Sequence, residues 1–409
     1  VATPEFLQKR VRLDVRVAQE VIAIDRATKT VSIKRRDSGE VYGQHYDKLI
    51  LAPGASPIVP PMPGSDARNV HSLRNLNDTD KIKAFVDREA TRRAVVVGAG
   101  FIGLEMVEQL VRRGIETSLV ELRTQVLPLM DEEMARPLED ELRRHEVALY
   151  LGKSLTSIGV GTDGLATEVQ LSDGTKIQTD LVIVGIGVKP NVGLAVDSGL
   201  EIGRSGAIAT NEWMQTSDPE IYAVGDAVEY NYGPTESPMR IALAGPANRA
   251  GRLAGQHAVT GQSPAMQPVL GTSIVRVFGV TAAVTGLTES LSQRMEISNR
   301  NATIVGNHHA GYYPGAEPLT LILTYSPDDC KVYGAHCVGG QGVYKRIDVI
   351  ATAMHLKATV RDLAGLDLAY APPFGSAKDP VHLAAFVASN QLDGIEQLCD
   401  AGASLAGRT

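Results

Sequence analysis

Cysteine is scarce in this chain: Cys330, Cys337 and Cys399 are the only three in 409 residues. So few thiols, so spaced, exclude a disulfide scaffold and offer no zinc-ligand pattern. A reducing cytoplasm is the expected setting. Long apolar runs are missing too. None approaches the ~20 residues of a membrane helix, and Val1 opens no basic-then-apolar leader, so no membrane partner is expected. Neither sign of charge dominates, with 40 basic against 47 acidic residues and a net charge of −7. The two signs are interspersed, which argues against nucleic acid as a partner. No metal site is expected either. His308 and His309 are adjacent, adjacent strand residues face opposite sides, and no cysteine or acid spacing supports them. What the chain has in plenty is apolar residues, 44% of the total, enough for two or three domains with cores of their own.

The densest signal runs from Val95 to Glu105, V-V-V-G-A-G-F-I-G-L-E. Three β-branched residues lead into G-x-G-x-x-G, and Met106, Val107, Leu110 and Val111 continue as a helical pattern. Gly98 permits the tight turn, Gly100 lets a pyrophosphate approach the backbone, and Gly103 lets helix and strand pack closely. The N–H groups at the helix start then hold the phosphates. A second apolar strand, Thr117–Glu121, ends in an acid eighteen residues after Gly103. Such an acid accepts hydrogen bonds from a ribose and repels a 2′-phosphate, which predicts NADH, while Arg123 leaves NADPH open.

The chain also repeats itself. Asp47–Pro57 and Asp180–Pro190 share the pattern acid, x, three apolar residues, two more, Gly, two more, Pro. Each follows a hairpin signal, Asp37-Ser38-Gly39 in one and Ser172-Asp173-Gly174 in the other. Upstream, Val15, Val17, Val21 and Ile24 match Leu149, Leu151, Leu155 and Ile158. Two similar nucleotide-binding domains are therefore expected, one nested inside the other. The fingerprint at Gly98 belongs to the second copy. By the same offset its counterpart falls ahead of Val1, so the first copy is expected to lack its opening βαβ unit.

The first domain is expected to resume after the second. Ile221–Val224 reads as a short strand ending in Gly225-Asp226, and a helix starts near Ala247 and runs through His257, with Pro246 at its first turn. Beyond the linker Gln262-Ser263-Pro264, strands around Thr272–Phe278, Ala282–Gly286, Leu319–Tyr325 and Val332–Val338 read as an antiparallel sheet followed by helices. Residues 391–409 read as a polar tail or interrupted linker.

These stretches resemble the flavoprotein disulfide reductases with two dinucleotide folds, and most closely the coenzyme A disulfide or persulfide reductases. Tyr46–Pro57, Val95–Glu105 and Ile221–Ala227 are general to that superfamily; Tyr312–Ala316 and Tyr370–Pro380 point to the coenzyme A branch. The resemblance covers nearly all of residues 1–390. It implies an α/β chain of two nested doubly wound dinucleotide-binding domains, the first incomplete, plus a C-terminal α+β dimerisation domain. On that reading 1–77 and 200–263 form the FAD-binding domain, 78–199 the NAD(P)-binding domain and 268–390 the dimerisation domain of a homodimer.

The resemblance also implies site residues. FAD would meet Pro53, Gly54, Asp226, Ala227 and Ala244, with the start of the helix near Ala247 aimed at the flavin. NADH or NADPH would meet Gly98, Gly100, Phe101, Ile102, Gly103, Glu105, Glu121 and Gly187. Phe101 is in this analogy an aromatic gate over the flavin, though aromatics after a glycine loop also simply pack. Asp226 is otherwise an ordinary turn acid or helix cap. Tyr312 and Tyr370 match catalytic tyrosines that hydrogen-bond or protonate a thiolate, the alternative being core tyrosines. Asn248, Arg249 and Lys378 would border a coenzyme A-type substrate, or are plain solvated side chains. Lys9, Arg10 and Arg12 read as charged surface. The family's nucleophilic cysteine is expected ahead of Val1, since Cys330, Cys337 and Cys399 all read as small structural thiols. Two alternatives stay open: an NADH oxidase or peroxidase of the same fold, and an inactive NAD-binding remnant.

Overall fold

A computed structural model of the protein describes residues 3–88 and 90–395. Cys399 and most of the 391–409 tail lie outside the described residues. The chain divides into two compact units. One contains residues up to 55 together with 190–231 and 237–269; the other contains 56–189, 232–236 and the described residues from 270 onward.

In the first unit Gln19–Asp25, Thr30–Arg35 and Val41–His45 form a three-stranded antiparallel sheet. The Asp37-Ser38-Gly39 signal is its second turn, where Gly39 takes φ +74°, a left-handed backbone that glycine adopts at no steric cost. The chain then enters Leu49–Leu51, which pairs in parallel with Ile221–Ala223. Lys48–Glu220 (2.7 Å) flanks this register, and Arg26–Asp218 (2.7 Å) ties the first turn of the antiparallel sheet to the segment ahead of Ile221. Helix Ala244–Thr260 follows, closed by Gly261 at φ +69°.

The second unit holds a five-stranded parallel sheet in the order Val70–Ser72, Leu181–Val184, Arg93–Val97, Glu116–Glu121, Ala148–Leu151. Val95, Val96, Leu119, Leu181 and Val182 are fully buried, as expected of parallel strands covered on both faces. Helices Phe101–Arg112 and Glu132–Arg144 cover one side through Leu104, Val107, Leu110, Met134, Leu138 and Leu142. A three-stranded antiparallel sheet, Leu155–Val160, Ala166–Leu171 and Lys176–Gln178, precedes the parallel strand Leu181–Val184, second in that order. Both copies of the repeat thus run from a three-stranded antiparallel sheet into a parallel strand. The match breaks upstream. Leu149 and Leu151 lie in a strand bonded to Glu116–Glu121, whereas Val15 and Val17 are exposed in irregular chain.

The C-terminal region is a five-stranded antiparallel sheet, in the order Ser273–Val277, Val280–Gly286, Val332–Gly339, Pro318–Tyr325, Arg300–Asn307. Helices Val343–His355, Val360–Ala364 and Pro380–Leu392 pack on it around Leu321, Leu323, Ile347, Ile350, Val381 and Ala385. Carboxylates on the two helices of the parallel-sheet layer grip this region by its backbone. Glu108 accepts from the Phe278 N–H and Glu141 from the Gly279 N–H, both at 2.9 Å. Asp131 accepts from Ser290 (3.0 Å) and Glu289 (3.1 Å) at the start of a short helix. Among the described residues, no helix is long and apolar enough to cross a membrane.

Candidate nucleotide and disulfide site

The fingerprint loop leaves the sheet at Val97. Gly98 has φ +102°, and a Cβ built there would lie 2.5 Å from the Gly185 carbonyl oxygen. At Gly103 a Cβ would lie 1.8 Å from the Gly98 carbonyl oxygen, so helix and strand meet backbone to backbone. At Gly100 a Cβ would meet nothing within 4 Å. An open side of this kind leaves room for a phosphate to reach the backbone. Gly100 is the N-cap of Phe101–Arg112, with no side-chain cap and no acid in the first turn, so the N–H groups and dipole of the helix start are left to an anion. These residues fit a pyrophosphate-bearing nucleotide.

Glu121 is buried and braces the same loop. Its two oxygens accept from the Ala99 N–H at 2.7 Å and the Arg123 N–H at 2.8 Å. Each oxygen keeps a lone pair for a ribose hydroxyl. Two residues on, Arg123 and Thr124 open an outward-facing cavity of about 630 Å³ shared with Gln125, Gln293 and Arg294. Phe101 is half-buried and packs against the core, Ile102 and Glu105 are exposed, and Gly187 turns at φ +121° beyond the neighbouring strand.

In the other unit the Pro53-Gly54 turn is pinned by Asn191, whose side chain donates to the Pro53 carbonyl at 2.9 Å and whose N–H donates to Gly54 at 3.0 Å. Gly54 has φ +67°. Gly225–Ala227 forms a 3₁₀ turn after the strand, and Ala227 is buried while Asp226 is partly exposed. Tyr230, missed from the sequence, clasps this turn: its hydroxyl accepts from the Gly225 N–H and donates to the Gly225 carbonyl, both at 3.1 Å. Burial pushes its phenol up to about 12. Helix Ala244–Thr260 begins three residues ahead of Ala247, with Pro246 in its first turn as the third helical residue. Its first turn carries no acid and no side-chain cap, Ala244 and Gly245 are exposed, and Asn248 and Arg249 are exposed one turn on. An uncapped, outward-facing helix start beside a glycine turn and an aspartate fits a flavin, whose ring carries negative charge when reduced.

In the C-terminal region Tyr312 and Tyr370, 58 residues apart, bring their hydroxyls to 3.0 Å. Tyr312 is 76% and Tyr370 49% exposed, which rules out core tyrosines. The Tyr370 hydrogen bond holds the Tyr312 phenol above its ordinary range. Lys378 is exposed next to Asp379, the buried N-cap of Pro380–Leu392. Lys9, Arg10 and Arg12 are exposed, the first two on helix Pro4–Val11.

One expectation fails here. His308 and His309 do not face opposite ways, because the strand ends at Asn307 and the pair sits in a bend. Their rings meet edge to face at 4.1 Å, with Nε2 of His308 2.7 Å from Nδ1 of His309. Among the described residues, no group of three or more His, Cys, Asp or Glu side chains is arranged to hold a metal. Cys337 is fully buried and its thiol is pushed up to about 12 by burial, so it stays protonated and unreactive; Cys330 is half-buried.

Comparison with known proteins decides the family. The pyridine nucleotide-disulphide oxidoreductase model matches residues 4–251, and the dimerisation-domain model of the same group matches 272–380. The chain belongs to the pyridine nucleotide-disulphide oxidoreductases. It carries both the nucleotide-binding and the dimerisation regions of that family. A coenzyme A disulfide reductase of Staphylococcus aureus (strain bovine RF122 / ET3-1) is 33% identical over 386 residues, covering 94% of this chain and 86% of the relative. The reduced Bacillus anthracis CoADR-RHD structure superposes with a TM-score of 0.94 at 45% identity, covering 98% of this chain and 71% of that one. An NAD-dependent persulfide reductase from A. fulgidus gives 0.95 at 36%, covering 99% and 74%. A water-forming NADH oxidase from Lactobacillus brevis gives 0.91 at 27%, covering 97% and 86%.

Proposed function

We propose that this oxidoreductase takes electrons from NAD(P)H and reduces a disulfide, persulfide or polysulfide of coenzyme A. The observation that carries this reading is the exposed hydroxyl pair of Tyr312 and Tyr370, held at 3.0 Å on a chain that also bears the open Gly100 cradle. FAD, when bound, supplies the two-electron relay between a hydride donor and sulfur. Residues 1–77 and 200–263 would hold it, with the Pro53-Gly54 turn, Asp226, Ala227 and the Ala244 helix start in contact. Residues 78–199 would hold the nicotinamide nucleotide, its phosphates on the N–H groups at Gly100 and Phe101, its ribose on Glu121, and Ile102, Glu105 and Gly187 alongside. Glu121 favours NADH; the cavity at Arg123 leaves room for the extra phosphate of NADPH.

Reduction of a disulfide takes two electrons and two protons and releases two thiols. Tyr312 and Tyr370 suit the proton side of this balance, since a phenol can donate to a departing thiolate and then hydrogen-bond to it. Lys378 would meet the phosphates of the coenzyme, and Asn248 and Arg249 would border the substrate. Residues 268–390 would build a homodimer. The same fold serves an oxygen-reducing relative, so oxidase chemistry is the second reading; the tyrosine pair favours the first. Thiol release decides. Two coenzyme A thiols per NADH consumed, with little oxygen uptake, is the expected result, and oxygen consumption without thiol release would overturn it.

A further inference from the structure

The tyrosine pair is exposed, yet its geometry is set from inside the domain. Nδ1 of His308 lies 3.1 Å from the Glu317 N–H and 3.3 Å from the Glu317 carbonyl; the shorter contact is to a backbone N–H, which can only donate, so that nitrogen is bare. The His308 proton then sits on Nε2, 2.7 Å from Nδ1 of His309, which accepts. The His309 proton is left on Nε2, facing the Tyr313 carbonyl at 3.3 Å. The chain of bonds runs one way, and both rings are buried. His309 also meets the Tyr313 ring edge-on at 5.6 Å, while the Tyr313 N–H closes a tight turn onto Ala310 at 2.9 Å. Gly311 and Tyr312 lie between Ala310 and Tyr313. The turn is tied to the other tyrosine segment by the Ala310 N–H, which donates to Pro372 at 3.3 Å. Arg346, 1% exposed, closes the frame. It donates to the His308 carbonyl at 2.7 Å and forms a two-point pair with Asp379 at 2.8 and 3.2 Å.

We infer that His308 and His309 are positioning residues, a buried imidazole relay that fixes the Ala310–Tyr313 turn and so aligns the Tyr312 hydroxyl on that of Tyr370. What the aligned pair does rests on the disulfide-reductase reading; that the histidines align it does not.

Two measurements on the full-length, flavin-loaded protein test this. His309→Phe should slow oxidation by coenzyme A disulfide about tenfold, with NADH-driven bleaching within about twofold, the loss of one aligned hydrogen bond and no more. His309→Gln keeps one acceptor and one donor and should recover most of the rate. On a Tyr312→Phe background His309→Phe should cost nothing further, which a general packing defect would not produce. Turnover is not needed for the second readout. Ultraviolet titration, taken as the difference between each protein and its Tyr312→Phe counterpart, should show the raised Tyr312 phenol falling back to the ordinary range in His309→Phe. It should stay raised in His309→Gln. An unchanged phenol in His309→Phe, or additive losses in the double variant, would overturn the relay. If no variant reduces coenzyme A disulfide, the proposed function falls and the titration still decides the alignment.

Discussion

Alanine at Gly100 and alanine at Gly103 separate nucleotide binding from folding within a single helical turn. At Gly103 the new Cβ would lie 1.8 Å from the Gly98 carbonyl oxygen, which is backbone and cannot swing aside. The helix must retreat from the sheet, at a cost of about 1–3 kcal/mol or more by analogy with overpacked cores. At Gly100 the Cβ meets nothing within 4 Å, and φ −78°, ψ −173° is ordinary extended backbone. The apo protein should therefore lose no more than about 1 kcal/mol, the difference between glycine and alanine as an N-cap. The methyl group does, however, occupy the side from which a phosphate must reach the helix N–H groups. Losing one charge-assisted hydrogen bond of about 1.5–3 kcal/mol weakens NADH roughly ten- to 150-fold. Thermal unfolding with NADH fluorescence titration measures both quantities. Gly100→Ala should melt near the wild type and bind poorly, and Gly103→Ala should melt early. Undiminished NADH affinity in Gly100→Ala would refute the phosphate seat.

Three further outcomes follow from the geometry. Glu121→Ala should weaken both nucleotides by freeing the loop, and NADH more than NADPH; equal losses in paired titrations would leave only the loop-bracing role. Asp226→Ala should lower the flavin content of the purified protein, measured by absorbance, and full retention would contradict the contact. Burial works against charge on Asp131, but His336 at 3.0 Å and the N–H groups of Ser290 and Glu289 outweigh it and hold the carboxyl at about 2, below the ordinary 3.8. A lowered folded value stabilises above the unfolded one and is lost as pH falls through the folded one, so this contribution of roughly 2 kcal/mol should vanish between about pH 4 and 2. Denaturant unfolding of Asp131→Asn against wild type should show the gap at pH 7 closing by pH 2, and a pH-independent gap would disprove the pairing.

The fingerprint was legible because its demands are local. Three β-branched residues, three glycines at fixed spacing and an acid at the next strand end all act within thirty residues. The repeat was legible through its turn residues, and the C-terminal sheet through four apolar strands. The fifth strand, Arg300–Asn307, was missed because at the sheet edge it buries only Ala302 and Ile304. Tyr230 was missed for another reason: its neighbours are strand residues, and only the folded turn brings its hydroxyl onto Gly225. Glu108, Glu141 and Asp131 were not singled out from the sequence, because each caps backbone more than 130 residues away. The histidine relay was misjudged because the rule for adjacent strand residues stops where the strand does, one residue before His308.

Absorbance during one anaerobic cycle tests the central claim most directly. The purified protein should show an oxidised-flavin band near about 450 nm that NADH bleaches and coenzyme A disulfide restores without oxygen, as a cofactor-borne relay requires. A colourless protein, or a band that NADH bleaches and only oxygen restores, would contradict the account.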